Sequence, residues 1–90
     1  MDKTGCDDSI SLRSGERQRL RDQIGGRLRR ECVRLGFTVD EVTARVGCSR
    51  RTWQYYETGA SMPNADLLSL LDGLGFDILY VITGRGREAL

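Results

Sequence analysis

The sequence predicts an all-α fold, with five short helices around one small core. Three observations carry that reading. Apolar residues recur three and four apart through the chain, the spacing that lays them along one side of a helix. Capping residues and glycines punctuate it at helix-like intervals. With 90 residues, 39% hydrophobic and 30% charged, there is room for one helical core and none for a second effector or catalytic domain.

The elements follow in order. Residues 1–13 (MDKTGCDDSISLR) are polar, and residues 1–20 are expected to form an N-terminal arm, partly disordered or a frayed helix. A helical pattern builds from Ser14. Leu20, Ile24, Leu28 and Cys32 lie four apart and Leu35 follows three later, so all share one face. Gly25-Gly26 weakens the run by about 1 kcal/mol each against alanine. The first firm helix is therefore expected over residues 24–35, closed by Gly36. The folded domain is placed at residues 21–84, with residues 85–90 as a tail.

The segment from Thr38 to Gly59, TVDEVTARVGCSRRTWQYYETG, is the most informative. Thr38 and Glu41 form a T-x-x-E capping box that opens a helix running to about Val46, and Val39, Val42 and Val46 give it an apolar stripe. Gly47 stops it, because the residue after a helix often takes a left-handed conformation that carries no Cβ penalty for glycine. Two residues later Ser49 can cap another helix, which ends before Gly59. Helices joined so closely cross steeply, the geometry of a helix-turn-helix. At 100° per residue, Trp53 and Tyr56, with Thr52 beside them, fall on the core side of the second helix. Arg50, Arg51, Gln54, Tyr55 and Thr58 fall on the other. That outer face has no carboxylate, and it has the side chains that read base edges: arginine pairs bidentately with guanine and glutamine with adenine.

After Gly59, residues Ala60 to Pro63 form a loop, and Asn64 or Asp66 can cap a fourth helix holding Leu67, Leu68, Leu70, Leu71 and Leu74, ended by Gly75. Asp77 opens a last apolar segment, Ile78 to Ile82. Periodicity alone fits a strand there as well. A helix is preferred, because a lone strand among four helices has nothing to pair with.

The net charge of +1 hides an asymmetry. Residues 13–51 hold eleven arginines against five acids, whereas residues 52–84 hold four acids and no Lys or Arg. The basic half contains the arginine-bearing helix, and affinity for nucleic acid comes largely from neutralising phosphates. Cys6, Cys32 and Cys48 lack C-x-x-C spacing and there is no histidine, so neither a zinc site nor a disulfide framework is expected. With no phosphate-binding glycine loop and no paired carboxylate in a cleft, no enzymatic activity and no cofactor are expected. No apolar run approaches the roughly 20 residues that span a bilayer, and no signal peptide opens the chain, so a cytoplasmic protein is expected.

Residues 24–84 resemble the lambda-repressor-like (Cro/repressor, XRE-type) helix-turn-helix domain. The Gly47 turn, Ser49-x-x-Thr52, Tyr56-Glu57-x-Gly59, Pro63 and the closing DILYVITGR carry the resemblance. It implies a five-helix, small phage-repressor-like domain that binds double-stranded DNA as a homodimer, its recognition helix in the major groove. Arg50, Arg51, Gln54 and Tyr55 match the base-contacting positions. Ser49, Thr58 and Ser61 match positions near the DNA backbone, and Thr38 and Val39 face phosphates through helix N-terminal N–H groups. A repressor of a palindromic operator is the function implied. The alternative is an antitoxin or antirepressor-type adaptor whose main partner is another protein, engaged through residues 1–20. Ile78, Tyr80, Val81 and Ile82 exceed what a short terminal helix needs and are expected to supply a homodimer contact.

Departures from the pattern carry expectations of their own. Val39 stands where glutamine is common, removing a contact that supports the recognition helix. Trp53 replaces an aliphatic residue and is expected as a core anchor. Cys32 stands where an arginine commonly pairs with the residue matching Glu57, so Glu57 must find Arg29, Arg45 or backbone N–H groups instead. Cys48 is expected to act as a small buried apolar residue rather than a redox switch.

Overall fold

A computed structural model describes residues 14–86, and within them the chain is all α. Its five helices are α1 (Ser14–Leu35), α2 (Val39–Val46), α3 (Arg50–Thr58), α4 (Ala65–Gly73) and α5 (Ile78–Thr83). Of the arm expected at residues 1–20, residues 1–13 lie outside the described residues, as do the last four residues of the tail. No described helix is long and apolar enough to cross a membrane.

Local chemistry sets the boundaries of the short helices. Thr38 and Glu41 form the reciprocal box, Glu41 N–H donating to Thr38 Oγ1 at 3.1 Å and Thr38 N–H to Glu41 Oε1 at 2.8 Å. Ser49 accepts from Thr52 N–H at 3.0 Å, and Asn64, rather than Asp66, caps α4 by accepting from Leu67 N–H at 2.9 Å. Asp77 accepts from Tyr80 N–H at 3.1 Å, so the last apolar segment is the helix preferred over a strand. The tight α2–α3 turn depends on Gly47, at φ 76°, whose N–H closes on the Thr43 carbonyl.

The core is small and drawn from all five helices: Leu28 and Cys32 of α1, Val42 and Val46 of α2, Trp53 of α3, Leu71 of α4 and Val81 of α5, with Phe76 from the α4–α5 connection. Trp53 is its centre, fully buried and edge-on to both Phe76 (6.3 Å) and Tyr56 (6.1 Å). Phe37, from the α1–α2 connection, stacks on Phe76 at 6.4 Å, so these two of the four connections are sealed by aromatic rings. Removing an aromatic anchor of this kind costs about 3–5 kcal/mol.

The first helix departs from the sequence expectation. It runs unbroken from Ser14 rather than beginning near Ile24. Gly25 is not a weak point or a helix end but a contact point. α1 packs most extensively against α3, and a Cβ at Gly25 would stand 2.5 Å from the carbonyl oxygens of Tyr56 and Glu57. The extra turns are held by Gln18, whose Nε2 donates to the Gly59 carbonyl at 3.1 Å and to Asp22 Oδ1 at 3.0 Å. Leu20, counted with the apolar stripe, is 40% exposed, because these turns run past the end of the core.

At the other end, Glu31 joins α1 to α5. Buried at 4% exposure, it takes the Arg34 guanidinium on both oxygens (2.9 and 2.7 Å) and accepts from Asp77 N–H at 2.8 Å. The Arg34 hydrogen bond, helped by that N–H, outweighs burial and holds the Glu31 pKa below its ordinary value. Arg27 donates to the Val81 carbonyl at 3.3 Å, satisfying one of the open carbonyls at the end of α5.

Candidate nucleic-acid interface

Helix α3 divides as its sequence implies. Trp53 is buried, while Tyr56 is half-buried and packs against the core. Arg50, Arg51, Gln54, Tyr55 and Thr58 are all exposed, within about 140° of arc on one side of the helix. Tyr55 is 47% exposed, its apolar ring and polar hydroxyl both open to solvent. Ser61 is exposed next to that face, its N–H donating to the Tyr55 carbonyl at 3.2 Å, and Thr58 Oγ1 donates to the same carbonyl at 3.3 Å.

The start of α3 is electropositive. Its first turn has two arginines and no acid. The Ser49 cap takes only the N–H of Thr52, so those of Arg50 and Arg51 stay open beside two guanidinium groups. One carboxylate approaches from across the turn: Asp40 of α2 lies 3.4 Å from Arg50 Nη1, both side chains 73% exposed.

Helix α2 corrects one expectation. The Thr38 N–H is taken by Glu41, so it is not available to a phosphate. The unpaired donors of the first turn are the N–H groups of Val39 and Asp40. The Val39 side chain is half-buried and packs against the core. Together with Arg50, Trp53, Gln54 and Glu57 it lines a surface notch of about 160 Å³ between α2 and α3.

Glu57 pairs with neither Arg29 nor Arg45. Its Oε2 accepts from the Trp53 indole N–H at 2.8 Å, one helical turn away. Tryptophan at this position therefore does two jobs: the ring fills the core and its N–H supplies the donor that Glu57 accepts from. Cys32 is buried, and burial, followed by the carboxylates of Glu57 and Glu41, pushes its thiol pKa up. Burial raises the Cys48 thiol as well, the direction opposite to a reactive thiolate.

The surface expected to supply a homodimer contact is also redrawn. Val81 is fully buried and has no surface to offer, while Ile78 and Tyr80 are half-buried against the core. Tyr80 OH accepts from Arg30 Nη1 at 3.4 Å. Of the four, only Ile82 is exposed, at 44%. Leu79 at 52% and Leu70 at 51% are also exposed apolar side chains, and sequence reasoning did not single them out for this contact. Leu79 and Ile82 lie three apart on α5, so they share one side of it.

Neither a curated protein nor a solved structure matches the chain. A family model described as a helix-turn-helix domain matches residues 23–78, which take in most of α1, all of α2, α3 and α4, and the start of α5. That match spans more than half of the chain and coincides with the two capped helices, the Gly47 turn and the helices that pack around them. The chain belongs to the helix-turn-helix domain family, a DNA-binding family.

Proposed function

We propose that this protein is a sequence-specific DNA-binding regulator, acting as a repressor that covers a palindromic operator as a homodimer. The observation that carries the proposal is the outer face of α3, where Arg50, Arg51, Gln54, Tyr55 and Thr58 are exposed together on a helix anchored by buried Trp53. Arg50 and Arg51 supply planar donor forks for guanine, Gln54 a donor–acceptor pair for adenine, and Tyr55 a ring and hydroxyl for sugar or base. Ser49, Thr58, Ser61 and the open N–H groups of Val39 and Asp40 would position the domain against phosphates. In a two-fold dimer the half-sites lie one helical turn of DNA apart, and bound protein occludes polymerase.

Leu70, Leu79 and Ile82 give a second reading something to stand on. They are exposed apolar side chains on α4 and α5. In the repressor reading they meet a second copy; in an antitoxin or antirepressor-type adaptor they meet a different protein.

The test is a titration of labelled duplexes with wild-type, Arg50→Ala and Arg51→Ala protein over a range of salt. Each lost bidentate contact is expected to weaken specific binding by about 1–3 kcal/mol, with affinity falling steeply as salt rises. Salt-insensitive binding, or unchanged affinity in both variants, would overturn the proposal. Co-purification with a different protein at fixed stoichiometry, without sequence-selective binding, would favour the adaptor.

A further inference from the structure

We infer that Asp40 is a positioning residue for Arg50, holding one end of the guanidinium so that the remaining edge is presented to a guanine; the inference rests on the DNA-binding reading above. The two residues are ten apart in sequence but face each other across the α2–α3 turn, Asp40 Oδ1 standing 3.4 Å from Arg50 Nη1. A guanidinium is a rigid plane of five N–H donors. Guanine O6 and N7 require two adjacent, parallel donors from that plane. A carboxylate on Nη1 leaves Nε and Nη2 as such a pair, and it removes the alternative of turning Nη1 to a phosphate.

The surroundings leave this task to Asp40. Val39, its neighbour at the notch, has no hydrogen-bonding side chain, and Glu41 is occupied by the Thr38 cap. Among the described residues no other carboxylate pairs with an α3 arginine, and Arg51 has no such partner.

In the free protein both side chains are 73% exposed, so the pair is weak and the arginine keeps much of its rotamer freedom. At a bound groove water is excluded and the same contact strengthens. The Asp40 charge has a second effect. At random sequence, where Arg50 would turn to a phosphate, the carboxylate competes for the guanidinium. It therefore favours the correct site and penalises the others at once, which is how discrimination is widened.

The experiment uses the full chain with Asp40→Asn, Asp40→Glu, Arg50→Ala and the Asp40→Asn/Arg50→Ala double variant. Duplexes selected by wild-type protein from a random pool are each substituted at every position of the half-site, and a random-sequence duplex serves as the non-specific probe. Asp40→Asn is expected to bind the random duplex more tightly and to lose roughly three- to tenfold of its preference for guanine at one position per half-site. Asp40→Glu is expected to keep wild-type binding to the random duplex. In the Arg50→Ala background the Asn substitution should no longer alter preference at that position. A uniform change on every duplex, no change at all, or the same loss of preference without Arg50 would overturn the inference while leaving the DNA-binding reading intact. Failure of wild-type protein to select any sequence overturns both.

Discussion

Adjacent glycines in the middle of α1 should respond to alanine with opposite signs. In a helix interior alanine is favoured over glycine by about 1 kcal/mol. At Gly26 nothing stands within 4 Å of the added methyl, so Gly26→Ala is expected to gain most of that preference. At Gly25 the same methyl would stand 2.5 Å from the Tyr56 and Glu57 carbonyl oxygens and 2.8 Å from the Glu57 carbonyl carbon. Those are backbone atoms of α3, so no side-chain rotation relieves the clash. The helices must separate along the most extensive contact in the fold. Overpacking of this kind costs about 1–3 kcal/mol, which offsets the helix-propensity gain and leaves Gly25→Ala a net loss of up to about 2 kcal/mol. For a domain of this size each kcal/mol moves Tm by roughly 4–8 °C. Thermal unfolding followed by helical circular dichroism should therefore show Gly26→Ala melting above wild type and Gly25→Ala below it. Two alanines that stabilise alike would mean that α1 and α3 do not approach as described.

Three further outcomes follow from individual contacts. Glu57→Ala leaves the Trp53 indole N–H without its acceptor and is expected to cost about 1–3 kcal/mol; the chain has a single tryptophan, so fluorescence-detected denaturation reads that site directly. Because the folded state lowers the Glu31 pKa, its contribution is complete above the ordinary glutamate value and is lost as pH falls through the folded value. Stability measured below roughly pH 4 should accordingly fall less steeply in Glu31→Gln than in wild type, although Glu31→Gln is less stable near neutrality. Gln18→Ala removes the bond to the Gly59 carbonyl and should speed amide exchange in the first turns of α1 while leaving residues 28–35 protected.

Most of the fold was legible because capping chemistry is local. Thr38, Ser49, Asn64 and Asp77 each announce a helix start within four residues of sequence, and Gly47 and Gly59 announce the stops. The exposed face of α3 was legible for the same reason: once α3 is bounded, its period assigns Trp53 inward and Arg50, Arg51, Gln54 and Tyr55 outward. What escaped was decided by contacts distant in sequence. Gly25 reads as a helix breaker until α3 is laid against it, and Gln18 reads as part of a frayed arm until Gly59 is brought to its side. The Glu57 partner was sought among arginines and backbone N–H groups, whereas the donor was the ring N–H of a residue already assigned to the core. Val81 looked like surplus apolar surface because residues of a six-residue helix cannot be sorted by composition, only by which side meets the core.

The most direct test of the central claim is selection of bound duplexes from a random pool by the full chain at physiological salt. The account predicts enrichment of an inverted repeat whose half-sites are centred about 10 base pairs apart, with guanine at positions that lose preference in Arg50→Ala or Arg51→Ala. A pool that emerges without sequence enrichment, or an enriched motif unchanged by both arginine substitutions, would contradict it.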